Sequence, residues 1–306
     1  MQNSIHAPRI QVSRQGEGPE FSRIVAGMWR MGEWDMSARE RLTLLEGCLD
    51  LGVTTFDHAD IYGGYQVEGL FGEALALAPG LRARMELVSK CGIKLTGPHA
   101  PQQPLNYYDT SATHIVAQAE RSLRALRTDY LDLLLIHRPD PLMDFDEIAE
   151  AFVRLRADGK VRHFGVSNFS RHQFECLHRK VALVTNQVEF SPLRLDPLYD
   201  ETFDGLQALG CAPMVWSPLA GGRLFRASDE AAVRVRTALE ALAGQTGVSV
   251  AGVVCAWIMR HPSRPMPLTG SGRLAAIAEA VRGCALTLTR EQWFTVLQAA
   301  HGHPVP

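Results

Sequence analysis

Several features that would mark other kinds of protein are absent from this sequence. Its formal net charge is only -2, and no stretch combines clustered basic residues with aromatic ones, so nothing favours a nucleic-acid partner. No window approaches the roughly 20 apolar residues of a membrane span. The start, MQNSIHAPRI, lacks the apolar segment of a signal peptide. We therefore expect a cytoplasmic protein whose partners are small molecules; the sequence carries no signal of an oligomeric state.

The cysteines form neither a metal-binding nor a disulfide pattern. They stand far apart, and no two make a Cys-x-x-Cys pair. Most lie in apolar runs, as reduced thiols do in the core of a protein from a reducing compartment. They are Cys48, Cys91, Cys176, Cys211, Cys255 and Cys284.

Hydrophobic residues, by contrast, are abundant and regularly arranged. They make up 46% of the 306 residues, a chain length that suits one α/β barrel of typically about 250 residues. Apolar runs of strand length alternate with segments of helical periodicity. The candidate strands are Ile24–Met28, Val53–Asp57, Glu86–Lys90, Leu131–His137, Val161–Ser167, Leu183–Glu189, Ala212–Ser217 and Pro265–Thr269.

The segments between these strands are predicted to be amphipathic helices. Asp109, Ser170 and Ser249 mark three helix starts, since such side chains cap a first turn. Repeated βα units imply parallel strands joined by right-handed crossovers. About eight units predict a closed (β/α)₈ TIM barrel of the α/β class, with residues 1–306 as one domain. An open doubly wound sheet is the alternative.

Three long segments interrupt this order. Gly92–Tyr108 is a Pro-rich loop after the third strand, and Leu219–Ser228 is a Gly-rich loop after the seventh. The tail adds an extra helix around Thr289–Ala300. Segments that follow barrel strands lie on the C-terminal face, where active sites are built. We expect all three to reach one site there.

Four polar residues cluster at the ends of consecutive strands. Asp57 ends the second strand and Tyr62 follows it, while Lys90 ends the third and His137 the fourth. A buried ammonium needs a carboxylate partner, which we expect Asp57 to give Lys90. The cation should lower the pKa of Tyr62 from about 10 towards neutrality, which suits a general acid. His137 could donate a hydrogen bond to the same substrate oxygen.

Histidine and aspartate residues near these strand ends also raise the alternative of a metal-dependent hydrolase. His58, Asp60 and Asp140 lie close to His137 in this pattern. Such barrels typically take further ligands from the first strand end, but Gly27-Met28-Trp29 supplies none. A metal would also leave the lysine without a role, so we expect no metal.

The motif Asp57-x-Ala59-x-x-Tyr62, followed by Lys90 and His137, resembles the catalytic tetrad of the aldo-keto reductase superfamily. The segment Gly159–Phe169 is similar to the family's fifth strand. Phrases such as Leu135–Pro141 most resemble a bacterial oxidoreductase subgroup of the YdhF type. The resemblance implies an enzyme that reduces a carbonyl with NADPH. A cofactor-binding regulatory or redox-sensing barrel with weak catalysis is the alternative.

The resemblance also implies how the cofactor is held. Ser167, Asn168 and Gln187 would bind the nicotinamide carboxamide, and Trp216 would stack on its ring. Ser217, Leu219 and Gly221 resemble the pyrophosphate loop.

A second phosphate site is expected at Gly270-Ser271-Gly272-Arg273. This segment nearly matches the Rossmann fingerprint, but it lies near the C-terminus without a βαβ unit. After the eighth barrel strand, it could instead open a helix onto a phosphate, and Arg273 could hold the 2′-phosphate of NADPH. The family's usual Lys, Arg and Asn are missing here, although Ser271 and Glu279 remain, so NADH stays possible.

For the carbonyl substrate, the expected pocket residues are Trp29, Trp34, Tyr108 and Arg138, the last able to bind an anion.

Overall fold

The computed structural model describes residues 5–14, 18–99 and 101–306. Its strands are β1 Arg9–Gln11, β2 Glu20–Ser22, β3 Val25–Gly27, β4 Thr55–Asp57, β5 Glu86–Cys91, β6 Ile93–Lys94, β7 Tyr107–Tyr108, β8 Leu131–Ile136, β9 Val161–Ser167, β10 Asn186–Glu189, β11 Met214–Trp216 and β12 Met266–Thr269.

Eight of these strands form a closed parallel barrel in the order β10-β11-β12-β3-β4-β5-β8-β9. This confirms the (β/α)₈ barrel and rules out the open sheet. Each barrel strand falls within its predicted segment, except that β5 continues one residue further, to Cys91.

The apolar run of β8 shows why the strands could be predicted. All six of its residues are buried. Leu133 and Leu135 point into the barrel, where they pack with Val88 and other interior residues. Leu134 and Ile136 belong to the layer between barrel and helices. Burial on both faces therefore accounts for a strand without polar alternation.

The helices surround the barrel. They are α1 Ala38–Asp50, α2 Tyr62–Tyr65, α3 Val67–Ala76, α4 Ala112–Leu126, α5 Phe145–Ala157, α6 Arg171–His178, α7 Thr202–Ala208, α8 Arg223–Arg226, α9 Glu230–Thr246, α10 Val250–Met259, α11 Leu274–Arg282 and α12 Arg290–His301.

Two of the three predicted helix starts are confirmed. The side chains of Ser170 and Ser249 cap α6 and α10. The prediction for Asp109 is wrong, because Ser111 caps α4 by accepting a hydrogen bond from the backbone N–H of His114. Asp109 instead accepts hydrogen bonds from the N–H and hydroxyl of Ser111, and so holds the capping residue itself.

The expected tail helix is present as α12, which begins after the capping residue Thr289. The indoles of Trp257 in α10 and Trp293 in α12 stack, with ring centroids 5.1 Å apart. Each indole N–H donates to the other residue's backbone carbonyl, both at 3.0 Å. This reciprocal pair fixes the extra helix against the barrel layer.

The first two described strands, β1 and β2, pair in antiparallel fashion, and the apolar pattern of the sequence did not predict them. Val12 and Phe21 are fully buried with the barrel's interior residues. The backbone N–H of Ala212, just before β11, donates to the carbonyl of Val12 at 2.7 Å. The β1–β2 pair thus closes the N-terminal end of the barrel, opposite the rim that bears the polar residues.

Two of the expected loops contain regular structure. Within Gly92–Tyr108, β6 pairs with β7, so the prediction of a plain loop is wrong; residue 100 lies outside the described residues. Leu219–Ser228 contains the short helix α8.

Among the described residues, no single helix is long and apolar enough to cross a membrane. Taken together, α9 and α10 meet those criteria of length and composition, but they are bent by 96°.

A test of the helix–helix packing is available in α3, which contains two glycines. A Cβ at Gly72 would lie 2.0 Å from the carbonyl oxygen of Ala125 in α4, whereas one at Gly69 would have no atom of a described residue within 4 Å. We expect Gly72→Ala to destabilise the protein by about 3 kcal/mol in urea unfolding. The matched Gly69→Ala should stabilise it by about 0.5–1 kcal/mol. Equal effects of the two changes would contradict this packing.

Candidate active site

A buried ion pair lies at the base of the site. The ammonium of Lys90 is 2.7 Å from a carboxylate oxygen of Asp57, as predicted, and both side chains are almost fully buried. Lys90 also donates to the backbone carbonyl of His58 at 2.7 Å and to the Tyr62 hydroxyl at 3.1 Å. The ammonium's three N–H groups therefore have three acceptors. Burial alone would lower the pKa of Lys90, but Asp57 and Tyr62 raise it, so the lysine stays charged.

The expected direction of the Tyr62 pKa is wrong. Burial raises the pKa of the phenol above its ordinary value and outweighs the opposing effect of the Lys90 charge. Asp57 adds to the rise, because a carboxylate disfavours a nearby phenolate. Tyr62 is consequently a phenol at neutral pH, the protonation state that a proton donor needs.

His137 lies beside this phenol. Its ring centroid is 6.0 Å from that of Tyr62, with the two planes nearly perpendicular. Burial lowers the pKa of His137 well below its ordinary value, and the charges of Lys90 and Arg138 lower it further. The imidazole is therefore neutral at physiological pH and carries one N–H to donate.

Hydrogen bonds extend from the ion pair to the opposite side of the barrel. The Gln187 amide on β10 donates to the second carboxylate oxygen of Asp57 on β4 at 2.7 Å. These strands stand four positions apart in the eight-stranded order, so the bond crosses the barrel. The Ser167 hydroxyl donates to the Gln187 carbonyl at 2.9 Å, and the Asn168 amide donates to Ser167 at 2.7 Å. The Trp216 indole completes the chain by donating to Asn168 at 3.1 Å.

Two residues of this rim have unusual backbone conformations. Asn168 directly follows β9 with φ 59°, and Ser217 directly follows β11 with φ 52°. Left-handed conformations are uncommon for residues other than glycine and often occur at functional sites. Both residues line the cavity described next.

A cavity of about 1150 Å³ opens over this rim. Asp57, Tyr62 and His137 line it, while Lys90 lies buried behind them. Of the residues expected to hold the cofactor, all but one line the cavity: Ser167, Asn168, Gln187, Trp216, Ser217, Leu219, Gly221, Gly270, Ser271, Arg273 and Glu279. Gly272 does not, and a Cβ there would lie 2.8 Å from the ring of Trp34.

The cavity end near α11 is suited to a phosphate. Among the residues that the structure describes, no side chain caps the first turn of this helix, which leaves backbone N–H groups available for an anion. Arg273 precedes the helix, and Arg226 approaches from the Gly-rich segment. With an aromatic wall at one end and these donors at the other, the lining fits a nicotinamide dinucleotide.

The expected substrate residues divide into two pairs. Trp29 and Arg138 line the cavity. Trp34 is not part of its lining and packs against the core, and Tyr108 lies in the β6–β7 pair, 40% exposed. Other lining residues were not predicted, because their position depends on how the loops fold over the rim. Except for Arg30, they lie in segments that were expected to reach the site, and this was the one signal for them. They include Arg30, Ile93, Leu95, Phe225 and Arg226.

Two of the residues that suggested a metal site, His58 and Asp140, contact protein groups instead. His58 is fully buried with its ring 4.5 Å from that of Phe71, and burial lowers its pKa to about 3. Asp140 accepts hydrogen bonds from the backbone of Leu142 and the hydroxyl of Thr110. Within the described ranges, no group of three or more His, Cys, Asp or Glu residues could hold a metal ion.

The fold and this rim define a barrel oxidoreductase that uses a nicotinamide cofactor. Residues 23–300 match the Aldo/keto reductase family, and the chain belongs to that family.

Related proteins align with this chain over nearly its full length. The chain is 52% identical to Oxidoreductase YdhF of Escherichia coli over 97% of this chain and 99% of the relative. It is 42% identical to the 6-dehydroglucose reductase of Agrobacterium fabrum, over 94% and 96% of the two chains. The glycerol dehydrogenase of Gluconobacter oxydans shares the fold, with a TM-score of 0.83 at 24% identity over 99% of this chain and 98% of that one.

The buried ion pair yields a stability prediction. Asp57→Asn leaves the Lys90 ammonium without its counter-charge, so we expect a loss of about 3–5 kcal/mol in urea unfolding at pH 7. Because the folded-state pKa of Lys90 is raised, the pair's contribution is present below its unfolded pKa of about 10.4 and is lost as pH rises through the folded value. The difference in unfolding free energy between Asp57→Asn and the wild type should therefore stay constant below a pH of about 10.4 and shrink as the pH rises from there through the folded pKa.

The control for this test is Glu175→Gln, which breaks the exposed pair between Arg171 and Glu175. That change should leave stability nearly unaltered. An equally small effect of Asp57→Asn would contradict a paired, buried charge.

Proposed function

We propose that this protein reduces an aldehyde or ketone to an alcohol with NADPH, and that Tyr62 is the general acid. The observation that carries the proposal is the 3.1 Å contact between the Tyr62 hydroxyl and the Lys90 ammonium beside a neutral His137. A phenol that stays protonated, next to a fixed cation, is suited to protonate an alkoxide as it forms.

Each side chain then has a defined task. When bound, the cofactor would supply the hydride. Tyr62 and His137 would donate hydrogen bonds to the substrate's carbonyl oxygen and so orient the carbonyl. As negative charge develops on that oxygen, Tyr62 would transfer its proton to it. Lys90, held by Asp57, would stabilise the phenolate left behind.

Trp216 would form the flat wall against which the nicotinamide ring lies. Its indole N–H is fixed by Asn168, so the ring plane is set by the same hydrogen-bond chain that holds Asp57. The orientation of the cofactor and that of the proton donor would thus depend on one network.

The preference for NADPH rests on the phosphate end. Arg273, beside the uncapped first turn of α11, would bind the 2′-phosphate that NADH lacks. Glu279 forms an ion pair with Arg282 and stands where it could contact the adenosine.

The described thiols support a reducing, cytoplasmic setting. All six cysteines are free, and four of them are buried.

The regulatory alternative shares the cofactor site, but the assembled tetrad favours catalysis.

The cofactor assignment can be tested by a fluorescence titration with each nucleotide. Purified protein should bind NADPH more tightly than NADH, with saturable quenching of its tryptophan emission. Arg273→Ala should weaken NADPH binding about 5–10-fold and leave NADH binding within about 2-fold, because only the 2′-phosphate contact is lost. Arg290→Ala removes an exposed guanidinium away from the cavity and should change neither. Failure of both nucleotides to bind would overturn the reductase assignment.

The proton-donor assignment predicts the effect of Tyr62→Phe on a carbonyl screen. Turnover should fall about 10²–10⁴-fold while NADPH affinity is unchanged. Because the pKa of Tyr62 is raised, wild-type reduction should not decline until pH exceeds about 10, when the donor loses its proton. Tyr199→Phe, a change at an exposed tyrosine, is the control. Full activity of Tyr62→Phe would show that another group supplies the proton.

A further inference from the structure

Some of the charged residues that line the cavity have an oppositely charged partner and others do not. Its two acidic residues are each neutralised: Asp57 by Lys90 and Glu279 by Arg282. Arg138 also lines the cavity, yet it has no acidic partner and no hydrogen bond among the residues that the structure describes. The catalytic end of the cavity therefore carries an uncompensated positive charge.

The position of this charge is defined by its neighbours. Arg138 follows His137 directly in the chain, and its guanidinium carbon lies 5.5 Å from the ring centroid of Trp216. Its charge contributes to the lowered pKa of His137 and opposes the rise in the pKa of Tyr62. The guanidinium is thus close to the two groups that would hold the reacting carbonyl.

A substrate that fills this end displaces water from the guanidinium. Under a neutral molecule, the charge would lose hydration without gaining a partner, which is unfavourable. A carboxylate would restore the balance, since a guanidinium binds it through two parallel, charge-assisted hydrogen bonds. Arg30 lines the same cavity beside Trp29, also without an acidic partner in the described chain, and adds to the positive potential.

We propose that the preferred substrates carry a carboxylate next to the carbonyl, as 2-oxo acids do, and that Arg138 binds this carboxylate. The inference rests on the proposed carbonyl reduction and adds its substrate class. Arg138 would act as a specificity-determining residue: it grips the acid group while Tyr62 and His137 bind the adjacent carbonyl oxygen.

The test compares two probes that differ in charge but little in shape, phenylglyoxylate and its methyl ester. For each we would measure kcat/KM with NADPH in the wild type and in Arg138→Met. The wild type should prefer the acid. The variant should lose about 10–100-fold on the acid and less than about 3-fold on the ester, because only the acid makes the charged contact.

Two further variants sharpen the result. Arg138→Lys keeps the charge but not the paired donors and should fall between the wild type and Arg138→Met on the acid. Arg156→Met removes a guanidinium that also lies over a ring, 5.1 Å from the centroid of Phe164, but outside the cavity lining. It should change neither rate. Unaltered NADPH quenching in every variant shows that the fold and the cofactor site are intact.

The outcomes separate the two proposals. Equal use of acid and ester by the wild type, or an equal loss on both in Arg138→Met, would overturn carboxylate binding and leave the reductase intact. The equal loss would mean that Arg138 acts through Tyr62 instead. Reduction of neutral glyceraldehyde without any reduction of phenylglyoxylate would also overturn it. Absence of NADPH binding and of all reduction would overturn the proposed function itself.

Discussion

The buried pair of Lys90 and Asp57 is the interaction on which the rest of the site depends. Two opposite charges can share an apolar interior only if each is fully satisfied, and here the ammonium has three acceptors. Asp57 has its second oxygen bonded by Gln187 from the opposite side of the barrel. The side chains of residues 57, 90 and 187 are therefore fixed relative to one another, and so are the groups that are hydrogen-bonded to them.

That arrangement determines the protonation states at the rim. Burial in the apolar wall of the barrel raises the free-energy cost of charging His137, the charge of Lys90 adds to that cost, and the imidazole stays neutral. The same wall favours the neutral form of Tyr62, while the nearby cation keeps the phenolate attainable when the proton is transferred. Both groups can donate hydrogen bonds over a wide pH range, which is what binding and reducing a carbonyl requires.

The sequence contains enough information for the barrel strands and the tetrad. Runs such as Leu131–Ile136 are buried on both faces, so hydrophobicity alone marks them, and the strand order brings Asp57 to Lys90. It could not reveal the Asp57–Gln187 bond, which joins residues 130 positions apart across the barrel. Charged residues can be counted in a sequence, but the extent of their burial cannot be read from it. The pKa of Tyr62 was therefore expected to fall, whereas burial raises it. The paths of Trp34 and Tyr108 likewise depend on tertiary packing.

The most direct test of this account is a double-mutant cycle between Lys90→Met and Tyr62→Phe, read as the single-turnover rate of carbonyl reduction. If the lysine acts by supporting the tyrosine's proton transfer, each single change slows the reaction, and the double variant is no slower than Tyr62→Phe alone. Losses that simply add would contradict the account, because they would show that Lys90 and Tyr62 contribute independently.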